Sequence, residues 1–309
     1  MPLAAGCLAR EEVVELVERR MRVSAAFPGP VQALLDYALA SRGKMLRAYL
    51  VVLTSFLWES APLPQVLDVA AGVELIHLAS LIHDDIVDDG EVRRGCTAVH
   101  RAFGPRAALL LGDYLFAAAF RLFAAADARV IAVMGRAVGE MSAGEIHQLI
   151  QPGRTLEEYW CYMYRKTASL LGACCEAGAV LAGQPSHWCE RLRQFGEAVG
   201  IAFQLTDDVL DYRGSTGRLG KLVGKDYAAQ VWTYPIIVAH RRGILGDDWP
   251  QLGFTTVQAL LTEHGVLQEV WQLAQEWLAR TRELLAAFPA GRSTSQLEAV
   301  LRELAVRDV

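Results

Sequence analysis

The stretch PQVLDVAAGVELIHLASLIHDDIVDD, residues 64–89, is long, mostly apolar, and ends in four aspartates within six positions. Its apolar residues recur at three- and four-residue spacing. That predicts a helix from Pro64, a residue suited to a first helical turn, to about Asp89. Such a helix must be buried along its length, yet its C-terminal end carries carboxylates where the helix dipole disfavours negative charge. Asp84 and Asp88 lie one turn apart on one face, where like charges repel. A divalent cation is the simplest compensation, and a solvated helix end is the plain alternative.

The same arrangement occurs a second time. Residues 203–211, FQLTDDVLD, place Asp207, Asp208 and Asp211 at the end of another apolar helical run, with Asp207 and Asp211 on one face. Two D-D-x-x-D copies at matching helix ends predict facing carboxylate walls. Such walls suit several magnesium ions and, through them, a diphosphate. Basic residues fit the same chemistry. Arg93 and Arg94 follow the first cluster, and Gly43-Lys44-Met45-Leu46-Arg47 opens an early helix. Lys166-Thr167 sits in a helix beginning near Tyr159, and Lys221 lies among Gly214, Gly217, Gly220 and Gly224, just before Lys225. Each alone reads as an ordinary surface residue. Jointly they make a polyphosphate site, with arginine suited to bidentate contact and lysine acting as a point charge.

Helical spacing continues through 11–22, 41–58, 106–126, 128–150, 155–183, 187–213, 228–242, 254–264, 266–288 and 294–307, and no strand alternation stands out. The expectation is one all-α domain over 1–309, a helical bundle around a central cavity. A net charge of -5 without a basic stripe gives no support for a nucleic-acid partner. Six cysteines without a CxxC pair read as reduced thiols in a cytoplasmic protein. MPLAAGCLAREE becomes charged too early for a signal peptide. Ala107–Ala126, the most apolar window, is interrupted by Asp113 and Arg121, so no transmembrane segment is expected.

The chain resembles the trans-isoprenyl diphosphate synthases of the polyprenyl synthetase family along nearly its whole length. The residues that carry the resemblance are ELIHLASLIHDDIVDDGEVRRGCTAVH (74–100), GKMLR (43–47), GDYLF (112–116), MSAGEIHQ (141–148), KTASLLGACCEAGA (166–179), GIAFQLTDDVLDYRG (200–214) and GKLVGKD (220–226). The helical tail 263–289 is also similar. The resemblance implies an isoprenoid synthase fold and a magnesium-dependent prenyl transfer. In that transfer an allylic diphosphate ionises and isopentenyl diphosphate adds to it, with no side-chain nucleophile. It further implies that Asp84 and Asp88, with Asp85 in support, bind metal from one wall, and Asp207 and Asp211, with Asp208 beside them, from the other. Arg93, Lys166, Thr167, Gln204 and Lys221 would contact the allylic diphosphate. Lys44, Arg47, His77 and Arg94 would hold isopentenyl diphosphate. A lone histidine on an apolar helix is more often a satisfied core residue, but His77 lies two turns before Asp84 on the same face.

In this family a bulky aromatic four or five residues before the first aspartate stops elongation early. Ala79 and Ser80 are small, which implies a medium- or long-chain product. Two places depart from the pattern: Arg42 replaces the first glycine of the usual Gly-Gly-Lys, and Gln230-Val231 stands where Gly-Lys is usual. The missing lysine leaves open a homodimer or a heterodimer in which this chain is the catalytic subunit. A class I terpene cyclase would carry an N-S-E-type second motif and would not need Lys44, Arg47 and His77. A di-iron bundle needs two E-x-x-H helices, and Glu74–His77 is one such spacing without a second.

Overall fold

The structure, a computed structural model, describes residues 9–27, 29, 31–40, 43–58, 61–150, 153–213 and 224–306. The chain is all-α. Its helices are α1 (Arg10–Ser24), α2 (Val31–Ala40), α3 (Leu46–Ser55), α4 (Leu63–Val87), α5 (Val99–Phe103), α6 (Pro105–Ala126), α7 (Ala128–Ile150), α8 (Leu156–Met163), α9 (Ser169–Leu181), α10 (Ser186–Arg213), α11 (Lys225–Ala228), α12 (Tyr234–Arg241), α13 (Phe254–Glu263), α14 (Val266–Leu285) and α15 (Arg292–Ala305). A π-helical turn, Tyr164–Ala168, joins α8 to α9, and a two-stranded hairpin, β1 (Val92–Arg93) with β2 (Cys96–Thr97), follows α4.

Two compact units account for the chain. The first comprises residues 1–136, 173–193 and 289–294, and the second residues 137–172, 194–288 and 295–309. In the first unit α4 is the central element. Val69, Ala70, Ala71, Val73, Leu75 and Ile76 are all sealed from solvent, so the middle turns of the helix are buried, as its apolar composition requires, while Leu78 and Leu81 are partly exposed. It packs against α6, α3 and α1. The approach to α6 is close because Gly72 receives the ring of Phe123 and Gly112 receives the ring of His83. Asp68, buried on α4, is neutralised by Arg20 of α1. By length and composition alone α4 and α6 could each cross a membrane, but most of the α4 apolar window lies inside this core.

The second unit buries Met163, Leu205, Val209, Tyr212, Ile236, Trp249, Leu261 and Val270 in one cluster, with Trp160, Tyr234 and Trp277 packed at its margin. Here α9 and α10 touch backbone to backbone. A side chain at Gly196 would run into the Leu171 carbonyl and lie 2.8 Å from Gly172 Cα.

Several element boundaries differ from the sequence expectation. Helix α3 starts at Leu46 instead of Ser41, because Met45 takes a left-handed φ of 44° that no helix continues; Ser41 lies outside the described residues. The expected 155–183 helix carries the π turn in its middle. The 228–242 helix begins only at Tyr234, since Pro235 lacks an N–H and fits only the first turn. Val31–Ala40 and the hairpin are additional elements, the hairpin strands being too short for alternation to show. Most of the glycine-rich loop, including Lys221, lies outside the described residues.

Replacing Gly196 with alanine has no room at the α9–α10 contact. Gly196→Ala is expected to lower unfolding free energy by about 1–3 kcal/mol, read as a lower urea midpoint at unchanged slope.

Candidate active site

The buried helix α4 ends by exposing its charges in sequence. Asp85, only 4% exposed, faces inward and accepts from the Nε of Arg93 at 2.9 Å and also from its Nη2. Asp84 is half-buried and Asp88, the C-cap, is exposed, one turn apart as the spacing predicts. Asp85 is therefore a holder for Arg93 and does not present its carboxylate to solvent, whereas Asp84 and Asp88 are the more open pair. The hairpin that follows turns on Arg94 and Gly95, both at positive φ (53° and 80°), the geometry of a two-residue turn between right-twisted strands. Its register pairs Arg93 with Cys96, so both arginines are presented within one tight turn of the chain.

Beside it the first unit has a solvent-open cleft lined among others by Gly43, Met45, Glu74, His77, Leu81 and Arg94. The Arg94 guanidinium lies against Gly43, where a Cβ would come within 2.7 Å of it and displace it. Glu74 accepts the N–H of Ala48 at 3.0 Å and so caps the first turn of α3, the helix that carries Arg47. Burial holds the Glu74 carboxyl above the usual carboxylate range even though Arg47 and Arg94 oppose it. Burial likewise lowers the pKa of Arg47, whose Nε has no hydrogen-bond partner. His77 is held well below its ordinary value by burial and by Arg47, Arg94 and Arg93, so it is a neutral imidazole at pH 7. Arg47, His77 and Arg94 are thus brought together, while Lys44 stands exposed between two cleft-lining residues. The lining also carries Glu18 and Arg22, so two arginines and two glutamates border the cleft, with Arg47 acting on Glu74 and His77 from outside the lining.

In the second unit the π turn at Tyr164–Ala168 places Lys166 and Thr167; turns of this kind recur at functional sites. Gly144 and Gly200 admit it, since side chains there would meet Arg165 at 2.9 Å and Ala168 Cα at 2.6 Å. Thr167 donates to Gln204 at 3.1 Å, and the Gln204 amide donates to Asp208 at 2.9 Å. Asp208 also accepts from the Tyr159 hydroxyl at 2.8 Å and the Tyr234 N–H at 3.1 Å. It is 1% exposed, and burial raises its pKa to about 6 despite these donors. Like Asp85, it organises its neighbours from within. Lys166 is paired with Glu145 at 2.5 Å.

Asp211 has both oxygens engaged. It accepts the N–H groups of Gly224 and Lys225 at 3.1 Å and of Asp226 at 3.0 Å, which ties the chain after the glycine-rich loop to the end of α10. Asp226 thereby joins the cluster. Burial, then Asp208, Asp211 and Asp207, raise its pKa to about 7. It sits in the quoted GKLVGKD segment, but no helical spacing ties 226 to 207–211. Gln230 takes a φ of 55°, a conformation glycine adopts freely, which matches its place where the family pattern has glycine.

Among the described residues no group of three or more His, Cys, Asp or Glu forms a ready-made metal cage. The donors present are carboxylate oxygens in pairs. That set fits magnesium, which takes one or two carboxylates and fills its other positions with water and phosphate oxygens.

A family model described as Polyprenyl synthetase matches residues 29–244. The chain is 31% identical to heptaprenyl diphosphate synthase component 2 of Geobacillus stearothermophilus, over 90% of this chain and 89% of that protein. It is 33% identical to octaprenyl diphosphate synthase of Haemophilus influenzae, over 82% and 81%. Among solved structures, a polyprenyl synthase from Caulobacter crescentus, complexed with calcium and isoprenyl diphosphate, superposes with a TM-score of 0.87 at 31% identity, covering 97% of this chain and 98% of that one.

The raised carboxyls make a stability prediction for the metal-free protein. Asp208 and Asp226 have folded pKa values of about 6 and about 7 against an ordinary 3.8, so the folded state binds their protons more tightly. Their stabilising contribution is complete below about pH 4 and is lost as pH rises through 6 to 7, by an amount on the order of a few kcal/mol. Thermal melts across this range are expected to show that fall, and Asp226→Asn to flatten it.

Proposed function

Because the chain belongs to the polyprenyl synthetase family, we propose that it condenses isopentenyl diphosphate with an allylic diphosphate and elongates in trans to a medium- or long-chain polyprenyl diphosphate. It is a prenyltransferase, and its relatives carry the names heptaprenyl, octaprenyl and solanesyl diphosphate synthase. The observation that carries the reading is a cleft lined by neutral His77 and Arg94, with Arg47 close to both His77 and Glu74, on the helix that ends in the aspartates.

In this proposal Asp84 and Asp88, with Asp207 and the remaining lone pairs of Asp211, hold magnesium. Magnesium, when bound, neutralises the diphosphate leaving group and weakens the allylic carbon–oxygen bond. The chain's own residues do the rest. Arg47 and Arg94, with Lys44, take the diphosphate of isopentenyl diphosphate, and His77 donates a hydrogen bond without adding charge. Arg93, Lys166, Thr167, Gln204 and Lys221 take the allylic diphosphate. Arg93 and Lys166 are already fixed by Asp85 and Glu145, so they stand in place with little reorganisation left to make. The hydrogen-bond chain Thr167–Gln204–Asp208–Tyr159 sets the orientation of the Gln204 amide.

Ala79 and Ser80 support the longer products. Ala79 is buried and small, and the Ser80 hydroxyl turns back to the His77 carbonyl at 2.9 Å, so no aromatic stands beneath the aspartates at these positions. A self-sufficient enzyme is favoured over a subunit that works only in a heterodimer. The component designation belongs to the Geobacillus protein, and the octaprenyl and solanesyl relatives carry none. The family assignment also sets the terpene cyclase alternative aside. Unpaired thiols at Cys96, Cys161, Cys174, Cys175 and Cys189 accord with a cytoplasmic setting.

Incubation with magnesium, farnesyl diphosphate and labelled isopentenyl diphosphate is expected to give products beyond fifteen carbons. No extension would refute the activity, and no extension past farnesyl from a geranyl primer would refute the length. Asp84→Ala is expected to lower kcat roughly a hundredfold or more. Ser80→Phe is expected to shorten the product ladder while leaving the first condensation intact.

A further inference from the structure

The loop that carries Arg93 and Arg94 is bracketed by a contact outside the substrate-binding set. At its start, Asp89 follows the α4 C-cap with a left-handed φ of 52°. The N–H of Gly90 returns to the Asp85 carbonyl at 3.0 Å, which marks this as the helix-ending turn where glycine is the usual residue. Aspartate tolerates this conformation better than most side chains but at a cost glycine does not bear. At the other end of the loop stands the short helix α5. One Arg101 nitrogen, Nη2, reaches both the Asp89 carboxylate at 2.7 Å and the Asp89 carbonyl at 3.0 Å. It therefore pins the side chain and the main chain of the same residue. His100 is 7% exposed, and neither of its ring nitrogens has a hydrogen-bond partner. Its Nε2 lies 3.8 Å from the other Asp89 carboxylate oxygen, about 0.6 Å beyond hydrogen-bonding range. A buried imidazole without a partner is rare, and Asp89 is the acceptor within reach of a small closure.

We propose that Asp89, His100 and Arg101 form a positioning latch. It cinches the base of loop 90–99, sets the direction in which the chain leaves α4, and so holds Asp88 and the Arg93–Arg94 turn toward bound diphosphate, with the His100–Asp89 contact completed on binding. The latch rests on the assignment of those residues to diphosphate substrates made above. It explains why aspartate occupies a glycine-type position: glycine would satisfy the turn but would leave the loop unbracketed.

Asp89→Gly separates the two roles, since it removes backbone strain together with the latch. Its melting temperature is expected to equal or exceed that of the wild type, while KM for isopentenyl diphosphate rises about tenfold and kcat changes less. Simple electrostatics predicts the opposite sign, because deleting a negative charge near an anion site should tighten binding. His100→Leu removes a buried unpaired polar group and is expected to melt no lower than wild type, with KM raised about fivefold. His100→Gln, which returns an N–H donor to a similar position, should bring KM back to within about twofold. Wild-type KM values in both Asp89→Gly and His100→Leu would overturn the latch, as would losses of affinity that track losses of melting temperature. Calorimetric binding of magnesium pyrophosphate reads the same effect without turnover. There Asp89→Gly should bind about tenfold more weakly, and unchanged affinity would overturn the latch. A wild-type chain that binds pyrophosphate but forms no prenyl product would refute the activity, while the variants' affinities still decide the latch.

Discussion

A largely buried helix that terminates in carboxylates is the constraint on which the first unit depends. The middle turns of α4 are sealed from solvent, and towards its C-terminal end His77, Leu78, Ser80 and Leu81 become partly open. Every charge it carries must therefore be answered by a neighbour or delivered to its open end. Asp68 is answered by Arg20, Glu74 by Arg47, Arg94 and the N-terminus of α3, and Asp85 by Arg93. Asp84, half-buried, and Asp88, exposed, stand at the open end. The pairing inside fixes Arg20 and Arg93 in place, while Arg94 borders the cleft.

The second unit uses the same physics with a different balance. Asp208 is buried and Asp226 part-buried; desolvation outweighs Lys225, the cation beside Asp226, and both carboxyls have raised pKa values. Neutral donors hold Asp208 in place, and Asp211 is held by backbone N–H groups. Lys166 is held by Glu145. A site arranged in this way is electrostatically incomplete without cations, which accords with the magnesium dependence inferred for the family.

The departure at Gln230-Val231 has a structural counterpart. The backbone there retains a left-handed conformation suited to glycine, so the turn persists although the residue has changed. The lysine of the usual pair has no substitute at the part-buried Val231, and Lys225 stands exposed at the start of α11, its N–H held in the carboxylate clasp of Asp211.

Much of this was legible from one dimension. Three-four spacing predicted nearly every long helix, because apolar periodicity is a local property of the chain. The i, i+4 relation of Asp84 to Asp88 and of Asp207 to Asp211 likewise follows from helix geometry alone. Spacing could not tell which member of each aspartate set turns inward. That choice separates Asp85 and Asp208 from their neighbours, and it is made by Arg93 across the hairpin turn, by Gln204 one helical turn away, and by Tyr159 and the Tyr234 N–H, which arrive from elsewhere in the chain. The π turn at Lys166, the clasp of Asp211 on residues 224–226 and the bracketing of the arginine loop by Asp89 were hidden for the same reason. The sequence by itself determined the all-α class, the existence of most long helices and the chemistry of the charged groups they carry. Tertiary structure decided which of those groups are structural anchors and which are open to substrate, since burial and partners are set by packing between segments distant in the chain.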